Sequence, residues 1–393
     1  MIQHPGLVDG PIYLDYNATT PVDPQVVMAM LPYLQMHFGN PSSRHAYGRA
    51  AHEAMAQARR QVSDLLACAP EEILFSGGGS ESDNLAIRGV ALGRRKRGRH
   101  LVTQATEHPA VLNACDALRR LHGFEISVLP VDADGQVRLA DLEAALREDT
   151  QLVSIMHANN ETGTLQPLVA IAEIVHRRGA LLHSDAAQTV GKLPVHPREL
   201  GVDLLTLAGH KLYAPKGIGA LYVRQELRPW LEPVIYGGGQ EGGQRAGTES
   251  IASIVALGKA CELAAADLPL AVQELRELRD YLHSLLTRAL PGRVHLNGHP
   301  VERLPNTLNV SIAGSMGEDL LAAIPALACS TGSACHEGHN EPSPVLSAMN
   351  VPRTRALAAV RLSVGRWTSR AGLEQAAELL SAAACGVGCG PAC

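Results

Sequence analysis

Short apolar runs alternate with helix-length amphipathic segments over most of this 393-residue chain, and that rhythm limits the fold more than any other feature. His100–Gln104, Glu125–Leu129, Leu152–His157, Ala180–Leu182 and Asp203–Leu207 are strand-length. Between them, Ala110–Leu121, Leu139–Arg147 and Pro167–Arg178 repeat their apolar residues at helical spacing. Strands separated by helices must pair through crossovers, so the pattern predicts an α/β fold: a mainly parallel sheet covered by helices. Glu72–Phe75 and Ala220–Arg224 read as further strands. Pro24–Met36, N-capped by Asp23, and Ser43–Cys68 read as helices ahead of most of the sheet.

The rhythm changes near Asp267-Leu268-Pro269. A helix from Glu249 to Ala266 is expected to stop there, and a separate charged helix to run on to Leu290. Short strands at His295–Leu296, Asn306–Ile312 and Ala359–Ser363 and a last helix to Ala384 suggest a smaller α+β domain. The expected division is a large domain over 18–266 and a small one from 1–17 and 267–393, with a flexible Cys/Gly-rich tail at 385–393.

Ligands of open α/β sheets gather beyond the carboxyl ends of the strands. Ala180–Leu182 runs into His183-Ser184-Asp185, and Asp203–Leu207 runs into Gly209-His210-Lys211. This acid and lysine are either unrelated or delivered to one crevice. A carboxylate for a pyridinium nitrogen and a lysine for a Schiff base are what pyridoxal phosphate asks of a protein. Glu72–Phe75 runs into Gly77-Gly78-Gly79-Ser80 at a helix start, which is a tight turn or an anion cradle. His108 is structural, or an imidazole stacked on a conjugated ring. The run His157–Gly163 is costly to bury unsatisfied, so it faces solvent or lines a site.

Taken together, the motifs resemble a known group. Tyr13–Pro21 (YLDYNATTP), Phe38–Ser43 (FGNPSS), Ser76–Asn84, Glu107-His108, Ala158–Gly163 (ANNETG) and Ser184–Gln188 (SDAAQ) occur in the order found in fold-type I pyridoxal phosphate enzymes of the aminotransferase class V group. Gly209–Gly219 (GHKLYAPKGIG), Gly237–Thr248, Leu304–Asn309, Thr331–Cys335 and Arg361–Gly365 complete the set. More narrowly, the chain resembles the cysteine desulfurases and selenocysteine lyases.

The resemblance implies roles. Lys211 would anchor the cofactor, Asp185 would pair with its ring nitrogen, Gln188 would bond its phenolic oxygen, and His108 would stack on the ring and move protons. Gly79, Ser80 and His210 would hold the phosphate. Thr248 would reach the partner subunit's phosphate, implying a homodimer. Asn160, beside the cofactor, and Arg361 would bind the substrate carboxylate, which a planar guanidinium suits. Ala208 departs from the pattern, since many relatives carry a serine before Gly-His-Lys. Pro109 fits neither branch.

Cys335 lies in a small-residue loop, Ser330-Thr331-Gly332-Ser333-Ala334-Cys335. Its residue type alone is compatible with an inert structural thiol. The resemblance makes it the nucleophile that takes the substrate sulfur as a persulfide. His336 after it, and the run Pro342-Ser343-Pro344-Val345-Leu346, look more like selenocysteine lyases. The expectation therefore leans to a lyase acting on L-selenocysteine, with His336 at the substrate, and keeps L-cysteine desulfuration as the alternative. Either route gives alanine and a chalcogen for an acceptor protein. Cys335-His336-x-x-His339 could be read as metal ligands but has no second ligand pair, so no metal is expected. The tail Cys385, Cys389, Cys393 reads as flexible, or as a metal clip or relay.

A formal charge of −5 argues against nucleic acid or an acidic membrane as main partner. The basic run Arg94–Arg99 reads as a solvated helix end and loop, or as a binding patch. Neither a secretory signal nor a membrane-length apolar stretch is seen, so a cytoplasmic enzyme with reduced thiols is expected.

Overall fold

The computed structural model describes residues 4–332 and 341–388. A short strand β1 (Ile12–Tyr13) opens the chain. Helices α1 (Pro24–Gln35) and α2 (Ala46–Leu66) follow. Asp23 caps α1 as expected, its carboxylate accepting the Gln25 N–H at 2.8 Å. Then come β2 (Ile73–Ser76), α3 (Gly79–Gly93), β3 (His100–Gln104), α4 (Pro109–His122), β4 (Glu125–Leu129), β5 (Thr150–Ser154), β6 (Leu181–Asp185), β7 (Leu204–Ala208) and β8 (Gly219–Val223), with further helices in the later crossovers.

These seven strands, β2 to β8, form one sheet in the order β2-β8-β7-β6-β5-β3-β4. β3, β4, β5, β6 and β7 run parallel, while β8 is antiparallel to both its neighbours. Alternate residues of each strand face opposite sides. Leu74, Leu101, Leu152, Leu181, Leu204 and Leu221 pack under α3 and α4. Ile73, Phe75, Val102, Val153, Leu182 and Leu205 enter the core on the other face with residues of α2. With both faces covered, the strands are continuously apolar, and that is why they were legible as runs.

A third apolar cluster combines Leu14 with residues between Leu275 and Ala384. Around it lie β9 (Val294–Leu296), β10 (Thr307–Ile312) and β12 (Ala359–Ser363), an antiparallel sheet, and β11 (Leu327–Ala328), which pairs with β1. The expected break near residue 267 is not there: one helix runs from Ile251 to Ala289 with Pro269 inside it. Its first part packs into the large core through Ile254, Leu257 and Cys261, and its second part into the smaller one through Leu282 and Leu286. Pro269 falls on an exposed stretch between the two, where a lost backbone hydrogen bond disturbs no packing.

The last helix runs from Arg370 to Gly388, so Cys385 to Gly388, read as flexible tail, are helical. Cys389 and Cys393 lie outside the described residues. Among the described residues no helix is long and apolar enough to cross a membrane.

Candidate active site

The carboxyl ends of β2, β3, β5, β6 and β7 carry the candidate residues. β6 ends at Asp185, and β7 leads into a single 3-10 turn, Gly209–Lys211. Asp185 pairs in register with Thr206, so the acid and lysine leave adjacent strands on one side of the sheet. Each acts electrostatically on the other, and both act on His108.

Lys211 Nζ donates to the carbonyls of Asn17 at 2.5 Å and Ala18 at 2.7 Å. Burial, then the nearby Arg361 cation, brings its pKa down to about 8, against the pull of Asp185 and Asp15. Asp185 is buried, which raises its pKa; the Ala187 N–H, His108 and Lys211 oppose this. Ala187 N–H bonds Oδ1 at 2.8 Å, leaving Oδ2 for a ligand. Behind Asp185 lie two buried acids, Asp83 and Glu107, both pushed well above the carboxylate range by burial and by Asp185's charge. Asp185 has the strongest claim to the negative charge, since it alone of the three is acted on by the two basic groups, His108 and Lys211.

His108 N-caps α4, its Nδ1 accepting the Ala110 N–H at 3.1 Å. The neutral ring therefore carries its proton on Nε2. Burial lowers its pKa, with Asp185 opposing and Lys211 assisting. Pro109, unexplained by resemblance, is the first residue of α4, where a missing N–H costs nothing.

Gly79 and Ser80 open α3. The cap residue Gly78 has φ 141°, which disfavours any side chain, and offers none to the first-turn N–H groups. A 15-residue helix beginning this way presents backbone donors and the positive end of its dipole to an anion. Ala208 packs here: its Cβ lies 3.3 Å from where a Gly79 Cβ would stand. His210 Nδ1 meets Thr19 Oγ1 at 3.2 Å, and burial, then Lys211, holds its pKa near about 4, so the ring is neutral. Gln188 Nε2 donates to the Asn17 carbonyl at 3.0 Å.

On the opposite wall Arg361, on β12, donates to the Asn160 carbonyl at 3.1 Å and to Asp15 Oδ1 at 2.8 Å. Its Nε is buried without a partner among the described residues. Asn160 and Arg361 thus meet as expected. Thr248 stands apart, exposed on the loop before Ile251, with no polar contact to the group. Cys335 and His336 lie outside the described residues, but both ends of their loop do not. Ser330 bridges to Arg361, and Glu161, next to Asn160, reaches both Gly332 and Ser343. Ser343 Oγ donates to Glu161 Oε2 at 2.5 Å and also caps the Pro344–Ala348 helix through the Val345 and Leu346 N–H groups. Val345 and Leu346 are buried. The Pro-Ser-Pro-Val-Leu run therefore has a capping and packing job, and it carries no evidence about the chalcogen.

Residue-by-residue reading missed three participants. Asp15 and Asn17 lie in the quoted Tyr13–Pro21 segment without an assigned role. Lys192, deep in the Leu181–Lys211 stretch, was passed over; a lysine with no acidic neighbour in an apolar run was the available signal. The basic residues Arg94–Arg97 lie past the far end of α3, where with Trp230 and Tyr236 they line a cavity of about 920 Å³ away from Lys211.

A helix N-terminus for phosphate, an acid for a ring nitrogen and a buried low-pKa lysine fit a phosphorylated pyridine, and they define a fold-type I pyridoxal phosphate enzyme. The aminotransferase class-V family profile matches residues 12–375, and the chain belongs to that family. A cysteine desulfurase IscS of Dictyoglomus turgidum is 45% identical over 94% of this chain and 93% of its own length. One from Pectobacterium carotovorum is 46% identical over 94% and 92%. Among solved structures, a NifS-like protein superposes with a TM-score of 0.88 at 36% identity, covering 95% of this chain and 98% of that one. These relatives favour the desulfurase branch over the selenocysteine lyase branch to which the Cys335 loop leaned.

Proposed function

We propose that the protein is a homodimeric cysteine desulfurase, converting L-cysteine to L-alanine and holding the sulfur as a persulfide on Cys335 for an acceptor protein. The observation that carries this reading is the arrangement at Asn160 and Glu161: the arginine wall of the site is also the footing of the Cys335 loop. The residues that flank the Cys335 segment, Ser330 and Ser343, therefore meet the wall on which Arg361 would hold an amino acid's carboxylate.

When bound, pyridoxal phosphate supplies an electron sink for bond cleavage at an amino acid's carbons. Lys211 anchors it and moves a proton between Nζ and the substrate carbons, a task suited to an amine with a pKa of about 8. Asp185 would pair with the ring nitrogen, Gln188 would donate to the phenolic oxygen, and His108 would cover the ring. Gly79, Ser80 and His210 would hold the phosphate. Arg361 and Asn160 would take the substrate carboxylate. Cys335 Sγ, as thiolate, attacks the substrate sulfur: the new S–S bond forms, Cβ–S breaks, and carbon keeps the pair and takes a proton, so no external oxidant is needed. Among the described cysteines, burial pushes Cys68, Cys115 and Cys329 up to about 12, which makes them poor substitutes.

The dimer is supported by exposed apolar side chains along and after α1, including Met28 at 67%, Leu34 at 64% and Phe38 at 77% exposure. Thr248, exposed in its own chain, would then serve the phosphate of the other site.

The test is alanine formation from L-cysteine and L-selenocysteine by wild type, Cys335→Ala and His336→Thr. Cys335→Ala should lose cysteine turnover by about 10³-fold while retaining the cofactor. Unchanged cysteine turnover in that variant refutes the persulfide route. Wild type that uses selenocysteine alone, with the preference removed by His336→Thr, restores the lyase reading.

A further inference from the structure

Lys192 is 4% exposed and has no carboxylate partner among the described residues. Its Nζ donates to the Gln188 backbone carbonyl and to Gln188 Oε1, each at 3.1 Å. A buried lysine without a counter-ion is costly, so its position calls for a reason beyond packing. The amide it grips supplies one. The Lys192 Nζ hydrogen bond to Oε1 puts the amide's carbonyl oxygen on the Lys192 side. The NH2 end is thereby turned to the Asn17 carbonyl, 3.0 Å away, which also accepts Lys211 Nζ. One Nε2 hydrogen is used there and the other is left for the site.

We propose that Lys192 is a positioning residue of the cofactor site: by holding Gln188 Oε1, it fixes the amide so that a donor, never an acceptor, faces the phenolic oxygen of the ring. This rests on the reading of Gln188 given under Proposed function. Without Lys192 only the Asn17 carbonyl selects the amide's orientation, and in the flipped state Oε1 meets an oxygen that carries negative charge. Lys192 also adds positive charge to a site already holding Lys211 and Arg361, and these two cations, after burial, bring its own pKa down to about 7.

The experiment uses Lys192→Met, Lys192→Arg, Gln188→Ala and the double variant Lys192→Met/Gln188→Ala, each as purified holoenzyme and reconstituted apoprotein. Lys192→Gln replaces Lys192→Met throughout if that variant does not fold. Two quantities are read: the dissociation constant of pyridoxal phosphate, and the midpoint of the pH titration of its visible absorption band. Lys192→Met should weaken cofactor binding about 3- to 10-fold, the worth of one hydrogen bond. It should raise the band midpoint by about half a unit or more, since a lost donor and a lost cation both favour the protonated form. Lys192→Arg should stay near wild type. In the Gln188→Ala background the Lys192 substitution should add less than half of its single-variant shift.

Three results overturn the proposal. If Gln188→Ala moves the band and Lys192→Met does not, Gln188 stands and Lys192 has no positioning role. If the full Lys192→Met shift persists without the Gln188 side chain, the lysine acts only through its charge. If Gln188→Ala leaves both quantities unchanged, the reading of Gln188 at the ring fails, and the role of Lys192 fails with it.

Discussion

Ser343→Ala tests whether the footing of the Cys335 loop matters to sulfur removal. The hydroxyl gives its hydrogen to Glu161 Oε2 and accepts from the Val345 and Leu346 N–H groups at 3.1 and 3.3 Å. Losing the cap costs about 1 kcal/mol. Stranding an oxygen of Glu161, a buried acid, costs ~1–3 kcal/mol more. Together these lower the melting temperature by about 2–5 °C in a chain of this length. The same change frees one end of the segment that carries Cys335, while Lys211, Asp185 and the start of α3 are untouched. Cysteine turnover should fall by about tenfold, with the cofactor's dissociation constant and visible band unchanged. Glu161→Gln retains an acceptor for Ser343 and should stay within a factor of about 2 of wild type. The measurements are differential scanning calorimetry, cofactor titration and alanine release. A melting temperature that drops with turnover intact refutes the link between this footing and Cys335; an unchanged melting temperature refutes the capping energetics.

Burial raises Glu107 far above the usual carboxylate value, so the native state holds a proton that the unfolded chain releases above about pH 4.3. That contribution is full below this pH and is lost as pH rises through the folded value. Glu107 Oε1 accepts from Met156 N–H and Gln104, while Oε2 has no partner. Glu107→Gln should therefore flatten the fall in denaturant stability between pH 5 and 9, and an unaltered slope would show that Glu107 is ionised in the native state. Lys211 captures pyridoxal phosphate through its unprotonated amine, so the rate of apoprotein reconstitution should climb about tenfold per pH unit and level off near about 8, its pKa in the site. A rate still climbing above pH 9 means that the amine is unperturbed. Replacing Met28 and Phe38 by Asp puts charge on the exposed α1 face and should yield monomers in light scattering, with lower cofactor retention if Thr248 serves the partner's phosphate.

How much was legible in sequence followed where the determining forces act. Strands buried on both faces announce themselves as apolar runs, and topology made Asp185 and Lys211 candidates at their carboxyl ends, whereas His108 took its expected role only from the family resemblance. The Ile251–Ala289 helix was misread because Pro269 is a local signal, whereas the helix is held by two cores on either side of it. Ser343 was misread in the opposite sense: a run that looked like a substrate signature is explained by a cap and two buried side chains. Asn17 escaped because its partners Thr307, Asn306, Gln188 and Lys211 are far away in sequence. A polar residue that works through tertiary distance leaves no local pattern.

Asn17 also links the two sides of the site. Its carbonyl takes Lys211 and Gln188 from the large sheet's side. Its side chain donates to Thr307 Oγ1 at 2.8 Å and to the Asn160 carbonyl at 3.1 Å, and accepts from Asn306. Its N–H goes to Ser363 Oγ on β12, two residues from Arg361. Lys211 and Arg361 are therefore both referenced to a single buried residue, 1% exposed, and not to each other through solvent. Chemistry that must hold an amino acid at one end and reach its sulfur at the other needs that distance fixed to a fraction of an ångström. The ends of β6 and β7 and the β12 wall belong to different cores of the fold, and the Tyr13–Pro21 segment, pinned to both, spans them.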